Sequence, residues 1–330
     1  MSFVVEKLGG LLLMQGRGRW EYQHLGVPVG GPVDHVSARL ANWIVGNEGD
    51  TSLLEIGLGG LRLRVLSDVR VAAAGIGAQA ELRINGSAVP PGRTLWLEAG
   101  GIFEVGYLTR GRWFYLATPG GFAGEQLLGS ASTLARAGLG RSLAVGDVLE
   151  STVPVAPPPG PRWKPVPGGA LAPRGAALQW LHLQFAGDEC IRVVPDERED
   201  FFSDEAIAAF YERTWSLSPQ IDRMGYRLDG APLPGERGQI ISGGVTFGTI
   251  QVSGDGKPII LMADRQPTGG YPCIAHVASV DLPRVAQLDF GEPIRFQRIS
   301  SEVAEDLLLE AESYLAQMRE SLLLQAGEES

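Results

Sequence analysis

Cysteine, histidine and basic residues are scarce in this chain, and each shortage excludes a class of protein. The 330 residues include two cysteines, Cys190 and Cys273, which are too few for a disulfide framework or a cysteine-based zinc site. The chain has 28 lysines and arginines against 38 acidic residues, so its net charge is −10. This balance argues against a nucleic-acid binder, because phosphate binding needs a basic footprint.

Long apolar runs are also missing. No run in the sequence approaches the ~18 apolar residues of a membrane span. The N-terminus lacks the charged-then-apolar pattern of a signal peptide. The sequence therefore predicts a soluble cytoplasmic protein that has neither a membrane nor a nucleic acid as its partner.

Familiar catalytic and nucleotide motifs are absent or incomplete. The four histidines are scattered, with no spacing suited to a metal, so no metal site is predicted. Residues 71–80 nearly match a dinucleotide fingerprint, but a strand and a turn follow where that fingerprint needs a helix. Residues 254–258 combine glycines with a lysine, and we interpret them as a hairpin turn because a phosphate-binding loop needs a different pattern.

The chain is instead rich in turn formers, with 45 glycines and 22 prolines, which suits many short strands. Apolar or alternating patterns predict strands at residues 61–65, 81–84, 94–97, 113–117, 248–252, 258–262 and 293–298. Helices are predicted after the N-cap candidate Asp34, ending at Gly46-Asn47, and over residues 206–215 after the N-cap candidate Ser203. An amphipathic helix is predicted from Glu302 to about Leu324, packed on its own domain or available to a partner.

Residues 152–174 are rich in proline and predict a semi-rigid linker between two β-rich halves. The expected organisation is a first β-barrel subdomain at 1–155, a linker at 156–176, a second barrel at 177–300 and a C-terminal helix at 301–330. Four sequence signposts recur in the same order in both halves and favour an internal duplication. The paired signposts are 34–40 with 222–228, 54–60 with 240–244, 114–122 with 260–271, and 143–147 with 288–292.

Three polar clusters embedded in glycine are the candidate site segments: residues 15–34, 218–227 and 264–271. Glycines let backbone amides approach a ligand, and arginines supply forked donors suited to carboxylate or phosphate. A network of Asp–Arg pairs that braces turns is the alternative reading of each cluster. Loops carried on rigid sheets are where function concentrates, which favours a joint site.

The same clusters carry a resemblance to a known family. The segments YQHLGVPVGGPVD, DRMGYRL, GTIQV and DGKPIILMADRQPTGGYP resemble the allophanate hydrolase subunit 2, or biotin-dependent carboxyltransferase, family. That family includes the C component of 5-oxoprolinase, KipA-like regulators and part of urea carboxylase. The similarity covers roughly residues 5–300.

The resemblance implies a mainly β fold of two tandem cyclophilin-like β-barrel subdomains, with a few short helices and a C-terminal helix. It implies a companion subunit of the allophanate hydrolase subunit 1 (KipI-like) type and a LamB/YcsF-like subunit. The implied activity is ATP-dependent opening of 5-oxo-L-proline to L-glutamate, with ATP and Mg²⁺ bound at the level of the complex and no activity of this chain alone. Carboxyl transfer to a urea-like amide, and a non-catalytic KipA-like regulatory role, are the alternatives.

Phosphorylation of an amide oxygen needs cationic groups for phosphate charge and carboxylates for metal or proton transfer. The expected catalytic residues are Asp34, Asp222 and Asp264. The expected substrate- or phosphate-binding residues are Arg19, His24, Arg223, Arg227, Gln251, Thr268, Gly269, Gly270 and Tyr271.

The chain departs from the family pattern at three places. Gly16 and Gly243 stand where the family usually has an acidic residue, and Pro267 stands where it usually has threonine. The missing acids predict another substrate or weak activity if those positions serve the chemistry. The biotin attachment motif Met-Lys-Met is also absent, so carboxyl transfer would need a separate carrier protein.

Overall fold

The computed structural model of this chain describes residues 2–153, 190–235 and 241–328, and the proposed linker at 156–176 lies outside this part. The helices are α1 (His35–Ile44), α2 (Asp204–Glu212), α3 (Leu282–Ala286) and α4 (Ser301–Glu328). The first eleven strands are β1 (Phe3–Lys7), β2 (Leu11–Gln15), β3 (Leu53–Gly57), β4 (Gly59–Val65), β5 (Val69–Ala74), β6 (Leu82–Ile84), β7 (Ser87–Val89), β8 (Thr94–Leu97), β9 (Ile102–Tyr107), β10 (Trp113–Ala117) and β11 (Val148–Leu149). The others are β12 (Cys190–Pro195), β13 (Trp215–Ile221), β14 (Gly225–Asp229), β15 (Gly243–Gly244), β16 (Thr249–Val252), β17 (Pro258–Leu261), β18 (Thr268–Gly269), β19 (Cys273–Val277) and β20 (Pro293–Arg298).

The chain divides into two compact units. Unit 1 contains Met1–Gly18, Asp34–Phe185 and Tyr314–Ser330, and unit 2 contains Arg19–Val33 and Ala186–Ser313. A segment near the N-terminus therefore belongs to the unit formed mostly by the second half. The domain limits expected from the sequence stay a prediction.

Unit 1 is built from two antiparallel sheets. One has the strand order β11-β1-β4-β9-β6-β7 and the other β2-β3-β10-β5-β8. Apolar side chains of both sheets form one buried cluster that includes Leu63, Phe103, Ile56 and Phe114. Burial of each such side chain contributes roughly 1.5–3 kcal/mol, so this cluster is the main source of stability in unit 1.

Helix α1 packs against β5 and β10 of unit 1. Asp34 has extended backbone geometry and accepts a hydrogen bond from the Ser37 amide at 2.9 Å, which makes it the N-cap that the sequence predicts. Val36, Leu40 and Ile44 are buried on one face, as their spacing predicts.

Unit 2 is a closed barrel with the strand order β12-β19-β16-β17-β14-β13-β20. Tyr226, Ile260 and Ile250 occupy one cross-strand row and are fully buried. Because side chains alternate along a strand, Gln251 and Ile259 lie on the opposite face. Ile259 packs there against Val245, which follows β15, so this is the outer face that the short β15–β18 ladder covers.

The mainly β, helix-poor architecture with a β-barrel confirms the expected fold class. Two details differ from the sequence interpretation. Residues 34–40 begin a helix whereas the matching signpost 222–228 leads into strand β14, so this pair does not share an element type. Helix α2 ends at Glu212, three residues earlier than predicted, because Trp215 begins β13 and pairs with Ile294 of β20.

Candidate functional site

Two glycines bring the N-terminal segment of unit 2 to the end of strand β17. Gly30 and Gly31 have φ values of +67° and +89°, a backbone region that residues with a Cβ rarely adopt. The Gly30 amide donates to the carbonyl of Ala263 at 3.2 Å, and the Arg19 amide donates to the carbonyl of Val29 at 2.7 Å. The segment that carries Arg19 is thereby fixed beside residues 263–265.

Arg223 and Asp264 form the centre of the candidate site. Arg223 donates from Nε to Oδ2 of Asp264 at 2.9 Å and from Nη2 to Oδ1 at 2.8 Å. The same Nη2 donates to the carbonyl of Gly31 at 2.6 Å. Strand pairing explains this geometry, because Gly225 of β14 lies opposite Leu261 of β17 and places the residues flanking those strands side by side.

The charge of the same carboxylate also acts on two further guanidinium groups, those of Arg19 and Arg265. Arg19 is 1% exposed, and burial lowers its pKa while the Asp264 charge opposes that shift. Burial also lowers the pKa of Arg265 to about 10, again opposed by Asp264. Within the described residues, the buried Nε of Arg265 has no hydrogen-bond partner. One aspartate thus pairs with Arg223 and acts by its charge on two more arginines, and this excess of positive charge suits an anion.

The segment Thr268–Tyr271 lies on the outer face of the barrel. Thr268 and Gly269 pair with β15, and buried Gln251 donates from Nε2 to the carbonyl of Tyr271 at 3.1 Å. A Cβ on Gly269 would lie 2.4 Å from that Nε2, so a larger residue here would displace the Gln251 side chain. Thr268, Gly270 and Tyr271 are exposed and available to a ligand.

A histidine–aspartate pair on the same outer face was not predicted from the sequence. His276 Nε2 lies 2.8 Å from Oδ2 of Asp196, and His276 Nδ1 lies 3.1 Å from the hydroxyl of Thr249. Asp196 is 9% exposed and also accepts from the Arg198 amide at 2.8 Å. Burial raises the pKa of the nearby Cys273 thiol, and the Asp196 charge adds to this shift.

Three predicted site residues have local contacts away from the Arg223–Asp264 pair. Asp222 is exposed, and its Oδ1 accepts from the amides of Met224 and Gly225, which closes the turn before β14. Arg227 is exposed beyond that turn, and its charge helps to lower the pKa of Asp255, for which the Ser253 hydroxyl is the largest cause. His24 is exposed in the short 3-10 turn Gln23–Leu25.

Asp34 belongs to a buried network of unit 1. Its amide donates to the Tyr115 hydroxyl at 2.8 Å, and that hydroxyl donates to Oε2 of Glu55 at 2.9 Å. Its carboxylate accepts from the amide and the hydroxyl of Ser37. Burial raises the pKa of Tyr115 well above its usual range, and the charges of Glu55 and Asp34 add to the shift. The structure thus shows a helix-capping role for Asp34.

In residues 2–153, 190–235 and 241–328, no group of three histidine, cysteine or acidic side chains is arranged to hold a metal ion. None of the helices described for this chain is long and apolar enough to cross a membrane.

The chain is similar to known proteins over a range that includes Arg223, Asp264 and the Thr268–Tyr271 segment. Residues 25–298 match the family model described as carboxyltransferase domain, subdomain A and B. The chain is 31% identical over 319 residues to the C component of 5-oxoprolinase from Haemophilus influenzae, covering 93% of this chain and 94% of that protein. It superposes on the crystal structure of Kluyveromyces lactis urea carboxylase with a TM-score of 0.82 and 29% identity, covering 96% of this chain but 29% of that one. It also resembles the crystal structure of TTHA0988, with a TM-score of 0.73 and 32% identity, covering 90% of this chain and 55% of that chain.

Proposed function

Because this chain belongs to the family of carboxyltransferase domains with subdomains A and B, we propose that it is a subunit of an ATP-dependent enzyme complex that opens a cyclic amide. Its proposed substrate is 5-oxo-L-proline and the product is L-glutamate. The similarity to the C component of 5-oxoprolinase over nearly the whole length of both proteins supports this assignment.

The single observation that carries the proposal is the excess of guanidinium groups at Asp264. In this proposal Asp264 orients Arg223, while Arg19, Arg223 and Arg265 bind the oxygens of an anionic group on the substrate. The phosphoryl group that is transferred to the amide oxygen carries its negative charge on its own oxygens. Fixed, largely buried guanidinium groups stabilise such charge more than water does.

ATP, with Mg²⁺, supplies the phosphoryl group that activates the amide oxygen when it is bound in the complex. The arginines around Asp264 fit phosphoryl oxygens because a guanidinium presents forked donors. Thr268 and Gly270, which are exposed on the outer face of the barrel, supply a hydroxyl and a backbone donor for the amide. Acid–base roles for Asp34 and Asp222 stay predictions.

The proposed partners are a subunit of the allophanate hydrolase subunit 1 type and a LamB/YcsF-like subunit. The test is to co-express all three chains and measure ATP-dependent release of glutamate from 5-oxo-L-proline. Release that is lost when this chain is omitted supports the proposal. Assembly of the three chains without release contradicts it and favours a regulatory role.

The structural match to urea carboxylase favours one second candidate, carboxyl transfer from a separate biotin carrier to a urea-like amide. The matched measurement is transfer of labelled carboxyl groups from a carboxylated carrier protein to urea in the presence of this chain. Transfer that requires the chain, together with no glutamate release, would replace the first proposal with the second.

A further inference from the structure

Arg198 places a guanidinium group beside Gly243, whose strand pairs with the Thr268–Tyr271 segment. A Cβ on Gly243 would lie 3.1 Å from Nη1 and 3.3 Å from Nη2 of Arg198. Gly243 pairs directly with Gly269 in the β15–β18 ladder. The forked end of Arg198 therefore stands against the backbone next to the exposed candidate site segment.

The base of this side chain is held in place by a polar chain on the barrel. The Arg198 amide donates to Oδ1 of Asp196 at 2.8 Å, and its Nε lies 3.5 Å from the same oxygen. Oδ2 of Asp196 is occupied by His276, whose other ring nitrogen is bonded to buried Thr249. Asp196 and His276 thus act as positioning residues for Arg198.

The outer end of the side chain is available to a ligand. The Arg198 side chain is 41% exposed. Among the residues that the structure describes, its hydrogen bonds involve neither Nη1 nor Nη2. A guanidinium whose Nη1 and Nη2 make no hydrogen bond matches the two oxygens of a carboxylate.

We infer that Arg198 is a specificity-determining residue that binds a carboxylate of the substrate and so selects a carboxylate-bearing amide over a neutral one. The inference rests on the proposed function, since it assumes an amide substrate at the Thr268–Tyr271 segment. Gly243 contributes to this selectivity, because it has no side chain that would contact the Arg198 guanidinium. An acidic side chain introduced at position 243 would bring its own carboxylate to Arg198.

Binding of two matched probes to the purified chain and to its complex, without ATP, tests the inference by calorimetry. The probes are 5-oxo-L-proline and the neutral lactam 2-pyrrolidinone, which lacks only the carboxylate. We expect wild type to prefer the acid, and Arg198→Ala to weaken acid binding about tenfold to a hundredfold while leaving the lactam unchanged, because hydrogen bonds between charged groups are being removed.

Three more variants sharpen the result. Arg198→Lys keeps the charge without the fork and should recover part of the preference. Gly243→Glu should abolish the preference for the acid, because the new carboxylate would pair with Arg198 and block the substrate. Arg295→Ala removes an exposed arginine of β20 that bonds to Thr214, and it should behave as wild type.

The outcomes separate this inference from the proposed reaction. A preference for the acid that survives in Arg198→Ala overturns the inference, as does a wild type that binds both probes equally or binds neither. Glutamate release by the complex together with any of these results leaves the proposed function standing. Arg198-dependent binding without glutamate release supports the inference and counts against the reaction.

Discussion

The guanidinium of Arg223 meets the carboxylate of Asp264 fork to fork, with Nε–Oδ2 and Nη2–Oδ1 distances of 2.9 and 2.8 Å. The same arginine also binds the carbonyl of Gly31. One side chain therefore joins the turn before β14, the segment after β17 and the N-terminal segment of unit 2. The Arg223–Asp264 pair therefore holds these three segments together and also lies at the centre of the candidate site.

Removal of either partner should destabilise the chain. In Asp264→Ala the buried Arg223 loses its counter-charge, and loss of one member of a buried ion pair costs about 3–5 kcal/mol. Arg223→Ala should cost a similar amount. The double variant should cost less than the sum of the two, with a coupling of about 0.5–3 kcal/mol, measured by urea unfolding. Additive costs would show that the two groups do not stabilise each other.

Adjacent glycines in the candidate segment should respond very differently to substitution. Gly269→Ala places a methyl group against Nε2 of Gln251, so we expect a loss of about 1–3 kcal/mol from overpacking and a displaced segment. Gly270→Ala is the control, because its Cβ would meet Ser242 Oγ at 3.4 Å, an ordinary contact. Thermal unfolding should change in the first variant alone. Equal effects would contradict the packing argument.

The buried charge of Arg265 should lower the free energy of unfolding and at the same time contribute to anion binding. Its pKa is lowered to about 10 because burial disfavours the charged form. Arg265→Met should therefore leave the free energy of unfolding unchanged or raise it by about 1 kcal/mol. We expect added phosphate to stabilise the wild type but not this variant. The melting temperature with and without phosphate measures both effects. A less stable variant that still responds to phosphate would refute this role.

Tyr115 should make the chain lose stability at alkaline pH. The unfolded chain releases the phenol proton at about pH 10, whereas burial and the charges of Glu55 and Asp34 hold the folded pKa well above that value. The free energy of unfolding is thus unaffected below about pH 10 and falls as the pH rises above it. Burial also raises the pKa of Tyr211, to about 12, so Tyr211 contributes part of this decrease in the free energy of unfolding with pH.

The matched variants are Tyr115→Phe and Tyr107→Phe. Tyr115→Phe should cost about 1–3 kcal/mol at neutral pH, because Glu55 loses a buried donor, and it should flatten the alkaline slope. Tyr107 is 58% exposed, so its variant should keep both stability and slope. An unchanged slope in Tyr115→Phe would show that another group causes it.

Local patterns in the sequence located seven of the twenty strands that the structure describes. The strands at 94–97, 113–117 and 293–298 match the structure residue for residue, and residues 254–257 form the turn between β16 and β17 as predicted. Alternation and turn residues suffice here because each strand is short and begins two residues after a glycine. The predicted end of α2 was wrong. Trp215 fits the helical spacing of apolar residues, but it pairs with Ile294 of β20 and so belongs to a strand.

The candidate site was predictable only where its residues cluster along the chain. Arg223 and Asp264 were identified because each lies in a polar segment rich in glycine. Asp196 and His276 are 80 positions apart, and the pairing of β12 with β19 brings them together. Arg265 was passed over although it adjoins Asp264, because nothing in the sequence signals its burial.

The central claim is that the arginines at Asp264 bind the anionic group that forms during amide opening. The most direct measurement is the rate of glutamate release from 5-oxo-L-proline by the three-chain complex containing Arg265→Met, compared with wild type and with Arg295→Ala. With assembly intact, we expect a loss of about a hundredfold or more for Arg265→Met and none for Arg295→Ala. A rate for Arg265→Met equal to wild type would contradict the claim.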